Sequence, residues 1–220
     1  MLFAALLLVS QETVVIEGED PDLGRFIPSI TFTGRLSFPS GSLSEGDVWY
    51  SDNFDDGWGF SVEVDLLQVV APGYRVGAYV SGAWDSFDGD RFTDDFGTSV
   101  EPDQLDIETF LVGVKTVIRP GPGIWLEGRL GGGVAHYEAV RADVVDLGFP
   151  LGTLDFFDES WEPSFELGGR FGWGIPAITF SLGLSFRVQG GPEEADESEF
   201  LLDTESMWLF TMDAGVTVRF

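Results

Sequence analysis

The sequence has no cysteine, one histidine and one lysine. Without cysteine there is no disulfide framework and no thiolate metal site. A single histidine, His136, leaves little scope for imidazole-based catalysis. Positive charge is scarce as well: 11 Lys and Arg face 38 Asp and Glu, a formal net charge of −27. Phosphate backbones would be repelled by that field, so nucleic acid is excluded as a partner. Long hydrophobic runs are also missing. Beyond residues 2–9, no apolar stretch approaches the roughly 18–20 residues of a membrane-crossing helix. The chain is nevertheless 44% hydrophobic, with 20 Phe, 7 Trp and 4 Tyr, which argues against disorder. High charge and high apolarity in one domain-sized chain of 220 residues imply that the two are segregated.

Residues 1–10, with the run Leu2-Phe-Ala-Ala-Leu-Leu-Leu-Val9, read as the apolar region of a truncated signal peptide, the alternative being a buried strand or short helix. Residues 11–28, carrying Glu12, Glu17, Glu19, Asp20 and Asp22, read as a flexible acidic lead-in. From residue 29 to 220 the period is two, the mark of strands. The clearest case is Ile178, Phe180, Leu182, Leu184, Phe186 and Val188 against Thr179, Ser181, Gly183, Ser185 and Arg187. Eight such segments are predicted, near 29–38, 58–70, 74–84, 105–118, 124–138, 161–173, 178–188 and 206–220. In 105–118 the parity set by Leu105 and Ile107 switches at Phe110, and a β-bulge is expected there.

Connections at 71–73, 119–123 and 174–177 are compact Pro/Gly turns. Those near 39–57, 86–104, 139–160 and 189–205 are long, and with their flanks they hold 28 of the 38 acidic residues. Strict alternation of short and long connections is the signature of bacterial outer-membrane barrels, whose turns are periplasmic and loops extracellular. Both chain ends then fall on the turn side, making 11–28 a periplasmic lead-in. The expected fold class is all-β, an eight-stranded antiparallel up-and-down transmembrane β-barrel.

Alternation alone does not say which face meets water. An eight-stranded barrel has little interior room, and the apolar parity is crowded with Phe, Trp, Leu and Ile. The polar parity is thin, with Gly77, Gly133, Gly183, Gly215, Ser61, Ser181 and Thr31 among its members. Bulk therefore belongs outside. The polar parity also carries Arg35, Arg75, Arg129, Arg170 and Arg187 against Glu63, Asp65, Glu127, Glu166 and Asp213. These are expected to pair in the lumen, because unpaired buried charge is costly. Glu127–Arg170 and Glu166–Arg129 are the neighbouring-strand candidates. Trp58, Trp84, Trp161 and Trp208 at the loop ends, with Tyr74, Trp173 and Phe220 at the turn ends, form two aromatic belts suited to bilayer interfaces.

The last strand, Met212, Ala214, Val216, Val218 and terminal Phe220, resembles the assembly signal of outer-membrane barrel proteins. With the strand count, the chain resembles the small OmpA/OmpX-type and OmpW-type barrels. That resemblance implies insertion through the barrel-assembly machinery, which reads the strand ending at Phe220, and outer-membrane lipid as a permanent partner. No peptidoglycan-binding domain of the OmpA kind is expected, since the sequence ends at Phe220.

Chemistry is sparse. Some outer-membrane barrels hydrolyse lipid A esters with a His and a Ser two positions apart; here the residue two beyond His136 is Glu138. His136 reads as structural, and no enzyme is expected. The clusters Asp85, Asp88, Asp90, Asp94, Asp95 and Glu193, Glu194, Asp196, Glu197, Glu199 suit divalent cations by chemistry but match no ligand-loop spacing, so they read as solvated loops. Gly131-Gly-Gly133 lies within a strand and lacks the following helix of a phosphate loop. No cofactor or committed metal site follows. The leading expectation is a structural or surface-interaction barrel. Passage of small apolar solutes, a lipid-modifying enzyme on the rim and a soluble ligand-binding barrel stand behind it.

Overall fold

A computed structural model describes residues 23–41, 53–93, 98–146, 148–175, 177–195 and 206–220. The signal-like segment, most of the lead-in, residues 42–52, Asp94, Asp95 and residues 196–205 lie outside the described residues. The described elements are all strands. Eight of them close a barrel: β1 (Phe26–Ser40), β2 (Gly57–Ala71), β3 (Tyr74–Phe87), β6 (Leu105–Gly121), β7 (Ile124–Tyr137), β10 (Ser160–Gly174), β11 (Ile178–Gln189) and β13 (Met207–Arg219). Each pairs antiparallel with its chain neighbours, and β1 closes on β13. The fold is the eight-stranded up-and-down transmembrane β-barrel, with strands longer than the roughly 9–11 residues a bilayer crossing needs.

Burial alternates residue by residue along β1, β2 and β11. Its sense is inverted relative to a soluble protein. Val62, Val80, Phe110, Leu182 and Met212 are exposed, while Thr31, Ser61, Ser181 and Thr217 are buried. An uninterrupted apolar exterior of this kind is stable only against lipid. No described helix is long and apolar enough to cross a membrane; the crossing is made by strands.

The tight connections follow from their residues. Pro72 fixes one backbone angle of the β2–β3 turn and Gly73 takes φ 73°; Pro122 and Gly123, with φ 72°, repeat the arrangement between β6 and β7. β1 starts at Phe26, three residues before the alternation becomes legible, and pairs there with Gln68 of β2.

Two expectations are corrected. There is no bulge at Phe110: β6 stays in register with β3 and β7 from Ile107 to Ile118. Leu105 and Ile107 keep the inward parity because the interior above the lumen is itself apolar. The long connections near 86–104, 139–160 and 189–205 are also not merely loops. They contain β4 (Phe92–Thr93), β5 (Thr98–Pro102), β8 (Val140–Asp146), β9 (Phe149–Asp158) and β12 (Glu193–Glu194). These form a second sheet in the order β12-β9-β8-β5-β4. Val140, Ala142 and Val144 turn one face of β8 inward, where it packs with Phe54, Phe87, Phe156, Phe157, Leu105, Tyr137 and Leu209. That cluster caps the loop end of the barrel.

Candidate functional site

Every barrel strand delivers at least one charged side chain to the lumen: Arg35, Glu63 and Asp65, Asp85, Lys115, Glu127 and Arg129, Glu166 and Arg170, Arg187, and Asp213. Alternation puts them there because the residues between them are bulky and apolar. Glycine makes the space. At Gly183 an added Cβ would stand 2.6 Å from Asp213 Oδ1 and 2.7 Å from Arg170 Cγ, so a side chain would expel the pair those residues make.

The central tier joins Lys115 to Glu63, to Asp65 at 2.8 Å and to Glu127 at 3.5 Å. Arg170 contacts Asp213 through Nε at 3.0 Å and Glu127 at 3.5 Å. Arg129 takes Glu63 and Glu166, each at 3.0 Å. Nearer the loop end, Arg187 bridges Glu166 at 3.1 Å and Asp85 at 3.2 Å, and Arg35 meets Asp85 at 3.3 Å. Ser29 Oγ donates to Asp65 at 2.5 Å, Ser37 Oγ to Asp85 at 2.9 Å, and Arg187 Nη1 to Thr109 Oγ1 at 3.0 Å. Burying one ion costs several kcal/mol, and only such multiple pairing offsets it. The result is a lumen filled by mutually neutralising side chains.

Both candidate neighbour pairs, Glu127–Arg170 and Glu166–Arg129, are in contact. Arg75 lies at the turn end instead, opposite Val69 and Val117 in the ladders, away from the central tier. Two members escaped the sequence reading. Asp85 was grouped with the acidic loop, yet it is fully buried between Arg35 and Arg187. Lys115 was left out of the lumen set; its position between the outward-facing Val114 and the next outward parity position, two residues after Gly113, would have found it. A third omission is Trp125, buried with Leu67 and Val117 as an apolar plug near the turn end. Its indole lies on Gly172, where an added Cβ would be 2.1 Å from the ring.

Above the charges, the lumen is closed by the apolar cap, with Tyr137 OH donating to the Gly190 carbonyl at 2.6 Å and accepting from Gln189 Nε2 at 2.7 Å. On the barrel exterior at this end, Trp58 and Trp84 meet edge to face at 5.1 Å, and Trp208 packs on Phe186. Trp161 stacks on His136 at 4.5 Å and on Phe110 at 6.3 Å. At the turn end Trp173 packs between Phe171 and Phe180; Phe220 is exposed and Tyr74 partly so. His136 Nε2 is 2.9 Å from Glu159, and Nδ1 is 3.7 Å from Glu108. Among the described residues, the contacts of His136 are to Glu159, Glu108 and Trp161, with no serine or other nucleophile in the group.

Among the described residues no three His, Asp or Glu side chains come together as a metal-holding group. Arg91 pairs with Glu101 at 3.0 Å and Arg141 with Asp155 at 3.1 Å on the outer sheet. The tip of the β8–β9 hairpin presents Phe149, 74% exposed, and Leu151, 63% exposed, with Pro150 between them.

No protein-family profile matches the chain, and no curated protein matches it in sequence. Among solved structures it is similar to Ail, the attachment invasion locus protein of Yersinia pestis, crystallised with the heparin analogue sucrose octasulfate, at 15% identity and TM-score 0.48, over 89% of this chain and 99% of that one. It is similar to the outer membrane protease OmpT of Escherichia coli at 9% identity and TM-score 0.48, over 89% and 96%. A further similar structure is the outer membrane protein OprG of Pseudomonas aeruginosa, at 10% identity and TM-score 0.43, over 90% and 97%.

Proposed function

We propose that the chain is a non-enzymatic, non-conducting barrel of a bacterial outer membrane that presents its second sheet to the cell exterior for surface interaction. In this reading the turns and both chain ends are periplasmic, and the strand ending at Phe220 engages the assembly machinery. The observation that carries it is the contrast between the two parts of the molecule. The lumen is closed by ion pairs and an apolar cap, while the β8–β9 hairpin carries exposed Phe149 and Leu151 away from that cap. A projecting apolar tip on an otherwise acidic sheet is costly in water and suits contact with another surface.

Passage of apolar solutes has one observation in its favour, since the upper lumen is lined by Leu105, Ile107, Met207 and Leu209. Those side chains are fully buried in the packed cap, which supports a closed lumen over a conduit. The test combines planar-bilayer recording with whole cells. The barrel is expected to give no unit conductance, and protease added to intact cells is expected to cut the β8–β9 tip. The double substitution Phe149→Asp and Leu151→Asp should lower retention of cells on abiotic or cellular surfaces while the protein still shows heat-modifiable migration. Discrete channel openings, or retention unchanged by that variant, would overturn the reading.

A further inference from the structure

Positive charge is rationed in this chain, and its distribution is uneven. Arg35, Lys115, Arg129, Arg170 and Arg187 serve the lumen pairs, and Arg91 and Arg141 pair on the outer sheet. The remaining arginines, Arg25, Arg75, Arg119 and Arg219, all belong to the turn end. Between the β6–β7 and β10–β11 turns there lies a cavity of about 440 Å³, within the range of small-ligand sites. Arg119, Trp125 and Thr179 line it, with Gly123 at the turn and Ile124 and Ile175 at its edge.

Three observations make this a ligand site rather than a gap between turns. First, Arg119 is half-buried, and among the described residues its guanidinium has no carboxylate partner. A second cation nearby, Arg219, sits with its guanidinium 5.6 Å over the Trp125 ring and is offset by Asp65 and Glu127. A half-buried guanidinium without a carboxylate of its own favours an anion beside it. Second, Trp125 Nε1 and Thr179 Oγ1 belong to side chains only 2% exposed, and neither atom has a hydrogen-bond partner among the described residues. A buried polar group left unmatched costs about 1–3 kcal/mol, so both atoms are disposed to accept a partner brought by a ligand. Third, the cavity presents donors and no carboxylate. Indole N–H is donor-only, guanidinium is a planar donor fork, and a hydroxyl can donate.

We propose that this cavity binds a phosphate-type oxyanion, held by Arg119 with Trp125 Nε1 and Thr179 Oγ1. The forked geometry of Arg119 suits two phosphate oxygens at once. Ile124 and Ile175, both exposed on the lipid-facing exterior, border the same cavity, so the phosphate can be presented by a phospholipid headgroup as well as free in solution. The inference rests on the barrel fold alone and is independent of any role for the outer sheet.

The test uses the full chain folded in octyl glucoside, a detergent without phosphate. Inorganic phosphate is titrated calorimetrically at constant ionic strength, with chloride as control. Retention of added phosphatidylglycerol is counted separately by native mass spectrometry. Saturable phosphate binding, weakened at least tenfold by Arg119→Gln and unchanged by Arg141→Gln on the outer sheet, assigns the site to a free oxyanion. Lipid retention that follows the same pattern, without binding of inorganic phosphate, assigns it to a headgroup. Absence of both, or equal binding by Arg119→Gln, overturns the proposal. Heat-modifiable migration verifies each variant; should Arg119→Gln fail to fold, Thr179→Val is read against the same criteria, with at least a threefold loss expected.

Discussion

Arg187 on β11 and Asp85 on β3 stand on diametrically opposite strands of the barrel, four places apart in either direction, yet Arg187 Nη1 lies 3.2 Å from Asp85 Oδ2. Arg170 on β10 and Glu63 on β2 are opposed in the same way and meet at 3.4 Å. The lumen is therefore spanned by side chains. Asp85 also forms an ion pair with Arg35, so removing its charge strands two guanidinium groups in a buried setting. Asp85→Asn should cost about 3–5 kcal/mol of folding stability in urea unfolding from lipid vesicles. Asp88→Asn, three residues on and exposed, should leave the midpoint unchanged.

The inside-out assignment is tested at two adjacent residues of β11. Leu182 is exposed and Ser181 buried. Leu182→Arg places a cation in hydrocarbon and should cost about 2–4 kcal/mol near the bilayer midplane. Ser181→Arg should impair folding through crowding, in detergent and in lipid alike. If Leu182→Arg folded into bilayers as readily as the parent, the lipid-facing parity would be wrong.

Gly172 is predicted to be intolerant of any side chain, because its missing Cβ is where the Trp125 indole lies. Gly172→Ala should destabilise by about 1–3 kcal/mol through overpacking, with a red-shifted tryptophan emission as the ring is displaced. Gly128, whose Cβ would meet nothing within 4 Å, provides the control: Gly128→Ala should be silent in both measurements.

For the acidic outer sheet the expected response to cations is screening. Asp88, Asp90, Asp143, Asp155, Asp158 and Glu159 are exposed, and the repulsion among such surface carboxylates is screened by salt. Added salt should slow proteolysis of the β4–β5 and β8–β9 hairpins, and Ca²⁺ should do no more than Na⁺ at matched ionic strength. Selective protection by Ca²⁺ would point to a site in the acidic segments.

The barrel was legible because two independent periodicities agreed: apolar alternation every second residue, and Pro/Gly turns alternating with long acidic connections. Both reflect local steric rules that act whatever the tertiary context. What escaped detection depended on context. Leu105 and Ile107 looked like a change of face, since sequence alone does not show where a polar lumen gives way to an apolar cap. Val140, Ala142 and Val144 alternate as clearly as any barrel residue, but the acids around them gave the segment the composition of a loop. Asp85 follows Arg75, Gly77, Tyr79 and Ser81 on one parity, and its grouping with loop acids overrode that simpler reading. Pairing partners across the lumen depend on barrel shear, which no local pattern encodes.

Since all eight strands contribute to the lumen charges, and the β1–β13 ladder sets Arg35 directly opposite Asp213, the network is complete only when the cylinder is shut. An open, seven-strand sheet would expose ions to lipid with their partners missing. A barrel missing one strand would leave buried charges without partners, at a cost of several kcal/mol per ion. A one-residue slip of β13 against β1 would likewise move Asp213 to the lipid-facing side and break its pairing, so the charges fix the register of the closing strands.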